Sequence, residues 1–225
     1  MEDEILVDEK NYSSGKKFGL ELLDMLQGVA FSLILMAVLS LTVIVNTAYD
    51  DLAISLLALI GGEVMLGSAL IIFGRENGSI AYRKTVENAR KRELGSKDEK
   101  VIYKTGEYAV WKGIVIGLIM CIPFIVFQTV ELLYPNTVCE FCLKYLCGWA
   151  YFPFSFLGEK YAPLSYILIL FPVAFHTLGY YLGKLKQLKI QEQLAKTNPD
   201  DKRSRVVDIP GEKKKGGKND KGRKK

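Results

Sequence analysis

Apolar residues in this chain gather into four long runs set between charge-rich segments, and none of the runs alternates with period two. Residues 25–49 form twenty-five positions without a charge. Residues 52–74 form twenty-three with one charge, Glu63, at the centre. Residues 113–130 form eighteen and continue past Glu131 to Tyr134, and residues 161–183 form twenty-three with His176 among them. Runs of this length predict transmembrane helices rather than strands or core helices. In lipid only helices and closed barrels satisfy the backbone, and the missing alternation selects helices. The prediction is an all-α membrane protein: a membrane domain over 25–183 with four transmembrane helices at about 25–47, 52–74, 109–134 and 161–183.

The segments between the runs predict how the helices connect. Residues 1–24 form a polar N-terminal segment, and from Lys16 the pattern is amphipathic, with Phe18, Leu22 and Met25 on one face and Glu21 and Asp24 on another. That fits an interfacial lead-in or a first helix that simply starts early. Residues 46–51 are few enough to make the first two helices an antiparallel hairpin. In the 75–108 loop, Asn77-Gly78-Ser79 is expected to open a separate basic helix with Ser79 as N-cap, ending at Gly95. Such a helix either lies on a membrane surface or links two spans in solvent. Tyr108 and Trp111 fall where an aromatic belt belongs.

Pro123 and Pro172 each remove a helical hydrogen bond near mid-span, so kinks are expected there. Gly113-x-x-x-Gly117 and Gly179-x-x-x-Gly183 allow close helix approach, within one chain or in a homodimer. In the 135–160 loop, Thr137 to Glu140 forms a capping-box pattern for a short helix ending at Gly148. After it comes an aromatic stretch, WAYFPFSFLG, inside an uncharged run of fourteen residues, 145–158. Fourteen residues are too few to span, so this is read as an interfacial segment between the third and fourth helices, lid-like over the bundle. The tail, 184–225, begins as helix to about Lys196 and is expected to be disordered from about 200.

Composition alone, 49% hydrophobic and 24% charged, would suit a soluble protein, but the charge is segregated. Arg75 to Lys112 holds ten Lys and Arg, the tail from Lys184 holds fifteen, and Lys10, Lys16 and Lys17 precede the first run; only Lys144 and Lys160 lie on the other side. The positive-inside rule then places both termini and the 75–108 loop in the cytoplasm, in a multi-pass plasma-membrane protein. The first run is too long for a cleaved signal peptide. The basic tail could bind anionic inner-leaflet lipids, RNA or ribosomes, or serve only as a topology determinant.

Two groups of residues could carry chemistry. A carboxylate at the midplane is costly, so Glu63 should face other helices and have a partner. His176, the only histidine, is the candidate, at a depth offset of about 6 Å counted from the span ends. Such a pair relays protons, binds a cation, or is simply a hydrogen bond between helices. Cys139-Glu140-Phe141-Cys142 is a C-x-x-C at a predicted helix N-terminus, where the dipole favours a reactive thiolate. Its motif and span count are similar to those of four-helix membrane thiol oxidoreductases of the disulfide-forming and vitamin-K-epoxide-reductase kinds. There is no second clear cysteine pair, and the plainer reading is a structural disulfide of Cys147 with Cys139 or Cys142, or plain thiols. A metal is not expected, since the outer cysteines have no nearby histidine, and no cofactor motif is present; GRENGS at 74–79 lacks the lysine of a phosphate loop.

The stretch from Gly74 to Pro123 resembles small four-span membrane proteins of Gram-positive anaerobic bacteria. The residues that carry it are Asn77-Gly78, Tyr82, Glu107-Tyr108, Lys112-Gly113 and Pro123, about a quarter of the chain. The resemblance implies a bacterial plasma membrane and brings no activity with it. The leading expectation is a non-enzymatic accessory or scaffold subunit that docks another membrane subunit through its basic loop and tail. The alternatives are a small transporter or proton-coupled component using Glu63 and His176, and a thiol–disulfide oxidoreductase using Cys139 and Cys142.

Overall fold

In a computed structural model the described residues are 14–47, 52–93, 107–155 and 159–197, and they are almost entirely helical, with no strand among them. The first helix, α1 (Ser14–Thr47), and the second, α2 (Leu52–Glu93), are both longer than a bilayer requires. Next come α3 (Val110–Met120), α4 (Ile122–Leu133), α5 (Thr137–Leu146) and α6 (Gly148–Ser155). A 3-10 segment (Glu159–Ile169) leads into α7 (Leu170–Thr197). Among the described residues three stretches are long and apolar enough to cross a membrane: Phe18–Leu41, Ala53–Arg90 and Pro163–Thr197. The α3–α4 pair, bent by 41°, is a fourth if it counts as one span. Less than a third of each of the three apolar windows is buried, and such large exposed apolar surfaces belong in lipid rather than water.

The contacts fix the helix directions. Along α1 and α2, Asp24 meets Lys84 and Gly28 meets Asn77, so the two are antiparallel. Between α2 and α7, Gly67 meets Phe171 and Phe175, Gly74 meets Gly179, and Ser79 meets Gln187, so these two are parallel. The bent α3–α4 pair runs against α7: Gly113 opposes Tyr180, Gly117 opposes Val173, and Thr129 bonds Tyr166. One end of the molecule thus gathers the start of α1, the middle of α2, the start of α3 and the middle of α7. At the opposite end sit α5 and α6, where Ser40 Oγ of α1 reaches the Leu146 carbonyl and Phe124 packs on Trp149 at 5.6 Å.

Several local expectations are corrected. No helix break occurs at Asn77-Gly78-Ser79, and Ser79 is not an N-cap; α2 runs through it to Glu93, so most of the expected loop is helix. Tertiary contacts use up the groups that would have capped a new helix. The Asn77 amide is spent on α1 and α7, Ser79 Oγ accepts from Gln187 Nε2 at 2.6 Å, and a methyl at Gly78 would overlap the Tyr180 carbonyl. The basic part of α2 therefore packs against the end of α7 through Tyr82, Val86, Ala89 and Leu188. It does not stand alone in solvent.

At the start of the chain the amphipathic lead-in is continuous with α1. The kink expected at Pro123 is present, as Pro123 lies in the first turn of α4 just past the break. Pro172 makes no mid-helix kink: the first part of the expected fourth helix is 3-10, and Pro172 falls in the first turn of α7, where the 3-10 segment passes into α-helix. Asn136, not Thr137, caps α5, its side chain accepting from the Cys139 N–H at 2.9 Å. Glu140 instead pairs with Lys144 at 2.6 Å. That hydrogen bond raises the Lys144 pKa. The aromatic segment is less lid than plug, with Trp149 and Ala150 buried. Residues 1–13, 94–106 and 198–225 lie outside the described residues, and with them the polar N-terminus, the Gly95 stop and the disordered tail.

Candidate functional site: a polar junction of four helices

His176 sits at the centre of the end where α1, α2, α3 and α7 converge, and it is fully buried. Its Nδ1 lies 3.2 Å from the Gly113 carbonyl and its Nε2 lies 3.4 Å from Asn77 Nδ2. A carbonyl can only accept, so Nδ1 carries the proton and Nε2 accepts from the Asn77 amide. The second N–H of that amide points to the Gly28 carbonyl at 3.4 Å. One histidine and one asparagine therefore tie all four helices with every donor used. In a low-dielectric interior such a fully satisfied set specifies one arrangement of the helices.

This arrangement departs from the expected Glu63–His176 pair. Parallel packing of α2 on α7 sets His176 opposite Gly74, eleven residues beyond Glu63, or about 16 Å of helix rise. Glu63 Oε1 is buried and has no hydrogen-bond partner among the described residues. Counting depth from the ends of apolar runs failed because α2 and α7 both continue past their runs, and because the register is locked by glycine. A methyl at Gly74 would overlap the His176 carbonyl, one at Gly179 the Ile71 carbonyl, and one at Gly183 the Arg75 carbonyl. The Gly179–Gly183 row therefore faces α2 within the chain, while the Gly113–Gly117 row faces α7, with a Gly117 methyl only 2.7 Å from Val173 Cα.

Charged groups ring the junction. Lys112, in the first turn of α3, is buried, and its ammonium reaches Glu21 of α1 at 3.5 Å and lies 5.8 Å from the Trp111 ring centroid. Lys84 of α2 reaches Asp24 of α1 at 2.9 Å, half-exposed. Between them opens a cleft of about 230 Å³, with Asn77 and Gly28 on its walls. Beyond it Tyr108 stacks on Tyr180 at 4.9 Å and meets Tyr82 edge-on at 5.9 Å, with the Lys184 ammonium over both Tyr82 and Tyr108. Sequence reading missed the junction. Its one available signal was that Glu21 and Asp24 precede the first apolar run, Asn77 follows the second and Lys112 precedes the third, which in an up-down bundle is one side.

All four cysteines are free thiols. Cys139 is buried in the first turn of α5, Cys142 is half-buried one turn on, and Cys147 is buried behind α5. Burial first, and the neighbouring Cys142 second, pushes the Cys147 thiol up to about 12. A raised thiol pKa favours the protonated form, so Cys147 is a poor nucleophile at neutral pH. Cys121 packs inside the bundle and donates to the Gly117 carbonyl at 3.3 Å. No cluster of three or more His, Cys, Asp or Glu able to hold a metal exists among the described residues. The chain matches no protein family, no curated protein and no solved structure.

Proposed function

We propose that the chain is a four-span plasma-membrane protein with both termini in the cytoplasm, acting as an accessory or scaffold subunit. The observation that carries this reading is the continuation of α2 and α7 past the junction as one packed pair. From Ser79 to Glu93, α2 rises about 21 Å, and α7 follows it from Lys184 to Thr197. The pair is joined by Tyr82, Val86, Ala89 and Leu188, and its outer face is charged and exposed, as at Arg83 and Glu87. A packed helical stalk of this kind, flanked by the start of α1, presents a fixed docking surface that a loose loop does not. The four-span count is supported by helix direction. Since α2 and α7 are parallel, the chain between them must return, and the bent α3–α4 pair runs the opposite way. Contact of the tail with RNA, ribosomes or anionic lipid concerns residues outside those described and stays a proposal.

A photo-crosslinking amino acid placed at Arg83, on the stalk, should give a discrete protein adduct in cells. The same group at Leu57, on the apolar outer face, should give lipid adducts only. Lipid adducts alone at Arg83 would remove the docking reading.

A further inference from the structure

We infer that the cleft between α1, α2 and α3 is a binding site for the headgroup of an aminophospholipid. Its depth is the first argument. Glu21 and Asp24 lie just before the apolar run of α1, Asn77 three residues after that of α2 and Lys112 immediately before that of α3, while Lys84 joins from two helical turns further along α2. The cleft therefore sits at the level where the three apolar surfaces end together, which in a bilayer is the headgroup level.

Lys112 is the second argument. It is 5% exposed, and among the described residues its ammonium has one acceptor, Glu21 at 3.5 Å. An ammonium has three N–H donors, and a buried one without acceptors is costly. Two donors thus remain for oxygens of a ligand, and Lys112 lines the cavity. Basic pockets between membrane helices are a known way to hold lipid phosphates.

Charge selects the class of headgroup. Lys84 and Lys112 are balanced by Asp24 and Glu21, so the formal charge of the four is zero. A purely anionic headgroup would meet the Asp24 carboxylate on the cleft wall, with Glu21 already drawing on Lys112. A phosphodiester on Lys112 with a primary ammonium towards Asp24 satisfies both signs. The size agrees: about 230 Å³ is below the roughly 300–1,000 Å³ of clefts that take drug-sized ligands. The walls distinguish a lipid from a soluble zwitterion. Met25 and Ile116, which belong to the apolar runs of α1 and α3, line the side of the cleft from which acyl chains would continue along apolar surface. The inference is independent of stalk docking, which the Arg83 crosslink reads separately.

The test is native mass spectrometry of the full chain in detergent with equal amounts of phosphatidylethanolamine, phosphatidylglycerol and phosphatidylcholine. The ethanolamine lipid should be retained about tenfold over both others, the effect of one charge-assisted hydrogen bond. Lys112→Met should abolish that preference with an unchanged size-exclusion profile. Asp24→Asn, at a half-exposed position that folding tolerates, should shift preference towards the glycerol lipid. Lys189→Met, on the stalk, should change nothing. Equal retention of the choline lipid by the wild type, an unaltered preference in both cleft variants, or displacement by equimolar soluble phosphoethanolamine would overturn the assignment.

Discussion

His176 shows how much a single register decides. In sequence it is a lone histidine within an apolar run, and a midplane acid is the natural partner to assign it. In the fold it is spoken for on both nitrogens by Gly113 and Asn77, and it acts as a tie between helices. The tie makes a direct prediction. Asn77→Ala leaves His176 Nε2 without its donor and removes the side-chain contact to the Gly28 carbonyl, and should cost about 1–2 kcal/mol of stability, read as a lowered midpoint of thermal unfolding in detergent. Asn77→Asp should not rescue it, because an ionised carboxylate has no proton to give to either acceptor. Wild-type stability in Asn77→Ala would mean that the two 3.4 Å contacts contribute nothing. Glu63 and the cysteines were visible in the sequence as residue types, but burial and partners were not. Those depend on which helix faces which, and no local pattern records that.

At the scale of the helix, glycine governs the pairing of α2 with α7. Gly74 and Gly78 look like the end of a span and the start of a turn when read alone. In the fold they are the points where one backbone touches another, opposite Gly179 and Gly183. Gly78→Ala should separate the pair, at a cost of about 1–3 kcal/mol from overpacking against the Tyr180 carbonyl. Gly61→Ala is the matched control. A Cβ there meets nothing within 4 Å, so the change should be neutral or stabilising by up to about 1 kcal/mol through helix propensity. If both variants unfold alike, close approach is not what holds the pair. The small-residue rows at Gly113 and Gly179 were legible in the sequence, as was the Pro123 bend. The rows at Gly74 and Gly78 were hidden because Asn77-Gly78-Ser79 carries a turn signal that long-range contacts override.

For the whole molecule, the charge asymmetry and the helix directions make one joint prediction of topology. On a cysteine-free background, an impermeant maleimide should label Lys144→Cys in intact cells, and Lys189→Cys only in inverted vesicles. Labelling of Lys189→Cys in intact cells would sink the assigned orientation. The sequence by itself determined that the chain is helical and apolar enough for a membrane, because run length and the lack of alternation are local properties. It also located the Pro123 bend and a short capped helix before the aromatic segment. Only the tertiary structure decided that α2 passes unbroken through Asn77, that α2 and α7 run parallel, and that His176 belongs with Asn77 rather than Glu63. The physical reason is the same in each case. Helix continuation and polar pairing are settled by groups far apart in the chain, brought within hydrogen-bond or backbone contact by a packing register that glycine rows set.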